Sequence, residues 1–74
     1  MIEIKLREDY ITLGQLLKAA GLVDNGGQAK ADIQAGLAKV NGEVDTRRGK
    51  KLHAGDIVEY AGKEVKVIGS DEEL

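Results

Sequence analysis

Leu37-Ala38-Lys39-Val40-Asn41-Gly42-Glu43-Val44 places two short extended runs on either side of Asn-Gly. That dipeptide is the one best suited to a type I′ turn, because both central residues of the turn need positive φ. A β-hairpin with its tip at Asn41-Gly42 follows, and it anchors the reading of everything around it.

Downstream of the hairpin, Asp45 to His53 is polar and glycine-containing. Ala54-Gly55-Asp56 then turns into the extended run Ile57-Val58-Glu59-Tyr60, and Gly62-Lys63 leads to Glu64-Val65-Lys66-Val67-Ile68. These are two more strands. Ser70 to Leu74 contains three successive acids and no apolar period, which reads as a solvated acidic tail outside a single domain at 1–69.

Upstream, Ala29, Ile33 and Leu37 trace one face of a short amphipathic helix, with Gly36 near its end and Asp24-Asn25-Gly26-Gly27 as the turn before it. An earlier helix starts at the cap Thr12, repeats Leu13, Leu16, Leu17 and Ala20 at helical spacing, and ends at Gly21. Ile2, Ile4 and Leu6 alternate with Glu3, Lys5 and Arg7, the period of an edge strand with one buried face.

The 74 residues suffice for one small core, and 42% hydrophobic with 32% charged residues is globular usage. The absence of cysteine excludes disulfides, thiolate catalysis and cysteine-ligated metal, and permits a reducing compartment. No stretch approaches the roughly eighteen apolar residues of a membrane span, so a cytoplasmic protein is expected; the sequence leaves the oligomeric state open, with a monomer favoured. Tyr10 and Tyr60 are the only aromatics, so stacking platforms of the usual kind are not expected. Tyr60, in an alternating strand, reads as packing.

The chemical signal is a charge cluster, Arg47-Arg48-Gly49-Lys50-Lys51, with Lys39 before it and His53 after it. Residues 39–53 hold five Lys or Arg against Glu43 and Asp45, a local +3 in a chain of net charge −2, which leaves −5 elsewhere. Screening over about 8 Å at physiological salt would confine such a patch to nearby partners. A solvated loop is the commoner fate of a short basic run, and contact with nucleic acid is the other reading.

A second candidate is the entry to helix two, where Asn25, Gly26 and Gly27 could present backbone N–H groups to a phosphate, with Lys30 one turn in. The plain alternative is a glycine turn capped by Asp24 or Asn25, and local pattern leaves the two open. Gly21 and Gly26 have the spacing of a nucleotide-binding loop, but Gly27-Gln28 stand where its Lys and Ser/Thr belong. His53, the only histidine, has no cysteine or second histidine with which to share a metal, and Asp24, Asp32, Asp56 and Glu59 are scattered without a nucleophile. Asp56 reads as the residue of its Gly-Asp turn. No catalytic residue, cofactor or metal is expected.

Taken in order, Gln28-Ala29-Lys30, Ile33, Gly36, Lys39-Val40-Asn41-Gly42-Glu43-Val44 and Leu52-His53-Ala54-Gly55-Asp56-Ile57-Val58 resemble the RNA-binding domain of the ribosomal protein S-four type, over roughly residues 12 to 60. The glycine pair before Gln28 and the run Arg47 to Leu52 are similar to small bacterial proteins made of little more than this domain. The resemblance implies an α+β fold, two short helices on an antiparallel sheet of four to five strands. It also implies a surface for structured ribosomal or transfer RNA on helix two and the hairpin loops. Asn25-Gly26-Gly27 departs from the basic pair many members carry at that helix entry, which leaves three outcomes open: the backbone N–H groups and Lys30 substitute for it, binding shifts toward Arg47, Arg48, Lys50 and Lys51, or binding is weaker. The alternative is an adaptor whose cationic surface docks an acidic protein, for instance on the ribosome.

Overall fold

In the computed structural model, which describes residues 1–69, Asn41 and Gly42 have φ values of 51° and 87°. Both central turn residues are left-handed, as a type I′ turn demands. The turn joins β3 (Ala38–Val40) to β4 (Glu43–Val44). The same geometry recurs at Ala61 and Gly62, with φ of 53° and 78°, between β6 (Ile57–Tyr60) and β7 (Lys63–Ile68). Alanine in that region carries a steric cost of about 1 kcal/mol, which hides this second hairpin from a composition-based reading.

The remaining elements are β1 (Ile2–Lys5), β2 (Ile11–Thr12), α1 (Leu13–Ala19), α2 (Gly26–Gln34) and β5 (Lys51–Leu52). The main sheet has the order β1-β7-β6-β3-β4, and β2 pairs with β5 as a separate two-stranded ladder. Strand alternation sends Ala38, Val40, Val58, Tyr60, Val65 and Val67 to one face, where they meet Leu13, Leu16 and Leu17 of α1 and Ala29 and Ile33 of α2 in one core. Lys39, Glu59 and Glu64, aligned across β3, β6 and β7, take the opposite, exposed face.

The α+β fold and the edge position of β1 are as the sequence implies, with one correction: the sheet is mixed. β1 runs parallel to β7, Ile2 opposite Val65 and Ile4 opposite Val67. The cause is that both helices and five strands intervene before β7, so no hairpin forces the antiparallel sense.

Helix two also differs in its limits. Gly26 and Gly27 are its first two residues, not the turn before it, because Asn25 caps it: the Asn25 carboxamide oxygen accepts the Gln28 N–H at 2.8 Å, and Gln28 Oε1 accepts the Asp24 N–H at 3.0 Å. Leu37 lies beyond its end and is exposed, since Gly36 at φ 81° has already turned the chain. The expected acidic tail at 70–74 falls outside the described residues.

One polar contact ties α2 to the sheet. The Tyr60 hydroxyl donates a hydrogen bond to the Asp32 carboxylate, with the tyrosine ring buried. That bond, aided by burial, raises the phenol above its ordinary 10.0. The folded state therefore holds the proton more tightly than the unfolded chain does. The stabilisation is whole below pH 10 and drains as pH rises through the folded-state value. Tyr60→Phe is expected to lose about 1–2 kcal/mol in urea unfolding at neutral pH, and its stability should fall less steeply than wild type's in the alkaline limb of the same measurement.

Candidate functional site

The first turn of a helix has amides without intrahelical partners. At α1, the Gln15 N–H reaches the Thr12 hydroxyl at 3.4 Å while Gln15 Oε1 accepts the Thr12 N–H at 3.1 Å, a reciprocal cap. The amides of Leu13 and Gly14, both in buried residues, go elsewhere: they donate to the carbonyls of Lys50 at 2.9 Å and Arg48 at 3.0 Å. The basic loop is thus pinned to the helix start by its own backbone. Contact is so close that a Cβ on Gly14 would come within 2.7 Å of Arg48 Cγ, so only glycine leaves room for the arginine stem.

Two further clamps shape the loop. Asp45 accepts from the Arg47 backbone N–H at 2.8 Å, from Arg47 Nε at 3.1 Å and from Arg47 Nη2 at 2.8 Å. The Asp45 side chain is 11% exposed and that of Arg47 68%. The guanidinium holds the Asp45 carboxyl below its ordinary 3.8. On the other side, Asn41 Oδ1 accepts the Ile57 N–H at 2.9 Å and Asn41 Nδ2 donates to Asp56 Oδ1 at 3.1 Å. Asp56 Oδ2 accepts the His53 N–H at 2.8 Å. The hairpin tip is therefore bolted to the Gly-Asp turn, and Asp56 has the turn role its position suggests.

The sequence candidates divide among three surfaces. Arg48 and Gly49 line a groove of about 350 Å³ with Gly14, Lys18, Gly26 and Ala29, so one basic residue of the loop and the start of α2 share one concavity. Arg47, Lys50, Lys51 and His53 line a second, wider concavity of about 540 Å³ beside the hairpin, together with Asn41, Glu43, Asp45 and Asp56. Lys39 joins neither; it lines a groove on the open face of the sheet with Glu59 and Glu64. Lys30 is exposed on α2 and lines neither basic groove. The Asn25 side chain is committed to its cap, while the N–H groups of Gly26 and Gly27 have no partner among the described residues.

Two residues at this surface escape a sequence reading. Lys18 belongs to the period of α1 and shows its place only once Arg48 packs across Gly14. Tyr10 is 40% exposed, with Lys51 Nζ 4.9 Å from its ring centroid and the His53 ring 6.4 Å away. Ladders of two residues, such as β2 with β5, have no readable period, so nothing in the sequence joins Tyr10 to His53. Among the described residues no group of three or more His, Cys, Asp or Glu side chains could share a metal ion, and no helix is long and apolar enough to cross a membrane.

Residues 4–68 match the family model of the S4 domain. This chain belongs to the S4-domain family. Over 59 residues it is 46% identical to a protein of Bacillus subtilis named as a probable ribosome maturation protein, RlbA, covering 80% of this chain and 83% of that one. The solution structure of YbcJ from Escherichia coli, described as having an alfaL motif involved in RNA binding, superposes with a TM-score of 0.71 at 39% identity, over 92% of this chain and 87% of that one. Tyrosine–tRNA ligase of Burkholderia lata is 40% identical over 53 residues, which is 72% of this chain but 13% of the ligase. The S4 match takes in both of these concavities and the β2–β5 ladder.

Asn41→Gly keeps the left-handed backbone and removes only the carboxamide. The two lost hydrogen bonds should lower unfolding free energy by about 1–3 kcal/mol, with hydrogen exchange at the His53 and Ile57 amides rising more than at Val65. For the Asp45–Arg47 clamp, a depressed carboxyl means stabilisation present above pH 3.8 and lost as pH falls through the folded-state value. An NMR titration should show the Arg47 Nε signal shifting only below pH 3.8, in step with Asp45.

Proposed function

We propose that this chain is a non-enzymatic RNA-binding module of the cytoplasm that recognises structured RNA, ribosomal or transfer, mainly through phosphate and shape contacts. The observation that carries the reading is the shared groove, in which Arg48 and Lys18 flank the glycine start of α2. Unpartnered amides at a helix N-terminus and adjacent cations are what a phosphate oxygen needs. The second concavity adds Lys50, Lys51 and His53, which follow one another along one loop and can serve as phosphate contacts. Arg47 contributes less than its sequence position suggests, because Asp45 already holds its guanidinium.

The relatives support RNA rather than an acidic protein as partner. YbcJ is described by an RNA-binding motif and the Bacillus subtilis relative by ribosome maturation, which favours ribosomal RNA. The segment shared with tyrosine–tRNA ligase keeps transfer RNA as the second substrate to try. That segment is 13% of the ligase, so the resemblance brings none of the ligase's catalysis with it.

If about four phosphates are neutralised, log affinity falls against log salt with a slope near −3, at roughly 0.7 to 0.9 per contact. Titration of ribosomal RNA fragments and transfer RNA at two salt concentrations should return that slope for one of them. Lys18→Glu/Arg48→Glu, verified as folded by circular dichroism, should lose binding by tenfold or more. Salt-independent affinity, or full binding by that folded variant, overturns the reading.

A further inference from the structure

We infer that Tyr10, set between Lys51 and His53, is a stacking platform for an unpaired nucleobase at the margin of the RNA surface. This rests on the RNA-binding reading and adds to it a preference for RNA with a bulged or single-stranded nucleotide beside the bound helix.

The geometry follows from the small β2–β5 ladder. Ile11 pairs with Leu52 and Thr12 with Lys51, so the next position outward sets Tyr10 opposite His53. Alternation sends Leu52 into the core, fully buried, and leaves Lys51 and His53 on the outer face. Tyr10 therefore meets His53 directly and Lys51 diagonally, which is what the distances record: ring centroids 6.4 Å apart at 55°, and Lys51 Nζ 4.9 Å from the tyrosine centroid. Among the described residues Tyr60 is the other tyrosine, and it is buried against Asp32; Tyr10 stays 40% exposed.

An aromatic ring held open to solvent on a backbone ladder, with cations on one side, matches what a single-stranded nucleotide presents: a flat base and a phosphate one bond system away. On one side the concavity holds Arg47, Lys50, Lys51 and His53 with Glu43, Asp45 and Asp56, and on the other the groove bordering Tyr10 holds Lys5 and Arg7 with Glu3 and Glu8. Both are mixed in charge; what orients the strand is Lys51, whose Nζ is the cation at the ring, 4.9 Å from its centroid, so the strand path follows the basic loop. Lys51 has a flexible four-carbon stem. It leaves the ring for a phosphate when a base takes its place, exchanging a weak exposed cation–π contact for base stacking and an ion pair. Every base has a π-face, so the platform reads the presence of a base and not its identity.

The test uses a stem-loop RNA with one bulged nucleotide and the same RNA with an abasic residue in the bulge. Wild type should bind the bulged RNA about tenfold more tightly than the abasic one. Tyr10→Ala should bind both with the weaker affinity, and Tyr10→Phe, which keeps the ring, should retain the preference. With 2-aminopurine in the bulge, fluorescence should be quenched by wild type and Tyr10→Phe but not by Tyr10→Ala. Equal loss on both RNAs in Tyr10→Ala, or no loss on either, overturns the platform. Lys18→Glu/Arg48→Glu separates the two ideas: if it abolishes binding of both RNAs while Tyr10→Ala behaves as wild type, the RNA surface stands and the platform falls. If wild type binds neither these RNAs nor ribosomal or transfer RNA, both fall.

Discussion

Two backbone amides, those of Leu13 and Gly14, reach out of the first turn of α1 to the carbonyls of Lys50 and Arg48. A buried N–H left unpaired costs about 1–3 kcal/mol, and Thr12 and Gln15 have already spent their side chains on each other. The carbonyls of the basic loop are what remains to satisfy these donors. The loop has no regular secondary structure between β4 and β5, yet its path is dictated as firmly as that of a strand. Gly14 completes the constraint by leaving the space that the Arg48 stem fills. Without this docking, the charge cluster would be a solvated loop, which is how the local sequence pattern most often resolves.

The same economy governs the acids at this surface. Asp45 and Asp56 sit among the cations, and simple charge counting sets them against anion binding. Their oxygens are already taken, Asp45 by the Arg47 amide and guanidinium, Asp56 by the His53 amide and the Asn41 carboxamide. Hydrogen-bonded in this way, both fix the loop; the Asp45 charge is balanced by the Arg47 guanidinium, while Asp56, bonded only to neutral donors, keeps its charge. The uncompensated positive field is that of Arg48 and Lys18, whose groove has no acid in its lining, whereas Lys50 and Lys51 share theirs with Glu43 and Asp56; at a screening length of about 8 Å the distant acids of the chain contribute little. A net charge of −2 is therefore compatible with a cationic concavity.

The sequence shows those parts of the fold that rest on local chemistry. Asn41-Gly42 tolerates the positive φ that a two-residue hairpin demands at both positions, Thr12 and Gly21 bracket α1, and the apolar alternation of β6 and β7 leaves one face for the core. What it hides depends on contacts distant in the chain. The parallel pairing of β1 with β7 spans almost the whole domain. The β2–β5 ladder is two residues long on each side, too short for any period. Lys39 illustrates the limit at the site: next to the cluster in sequence, it is turned to the far face of the sheet by the two-residue alternation that buries Val40. Lys18, thirty positions from Arg48, shares its groove.

A domain this small has little core to spare, since a chain of about 60 residues buries only about 60% of its unfolded surface. The surface proposed to bind RNA is accordingly assembled from groups the fold already requires. Gly26 and Gly27 start α2, and the same lack of side chains leaves their amides open. Leu52 fills the core from β5, and by doing so forces Lys51 and His53 outward on either side of it. Asn41 closes the hairpin, and its carboxamide also sets the turn that presents His53. On the proposed site, stability and recognition are therefore coupled residue by residue. The positions at which they come apart are those whose side-chain ends reach solvent past a fixed backbone: Lys18, Lys51, the guanidinium of Arg48, and Tyr10.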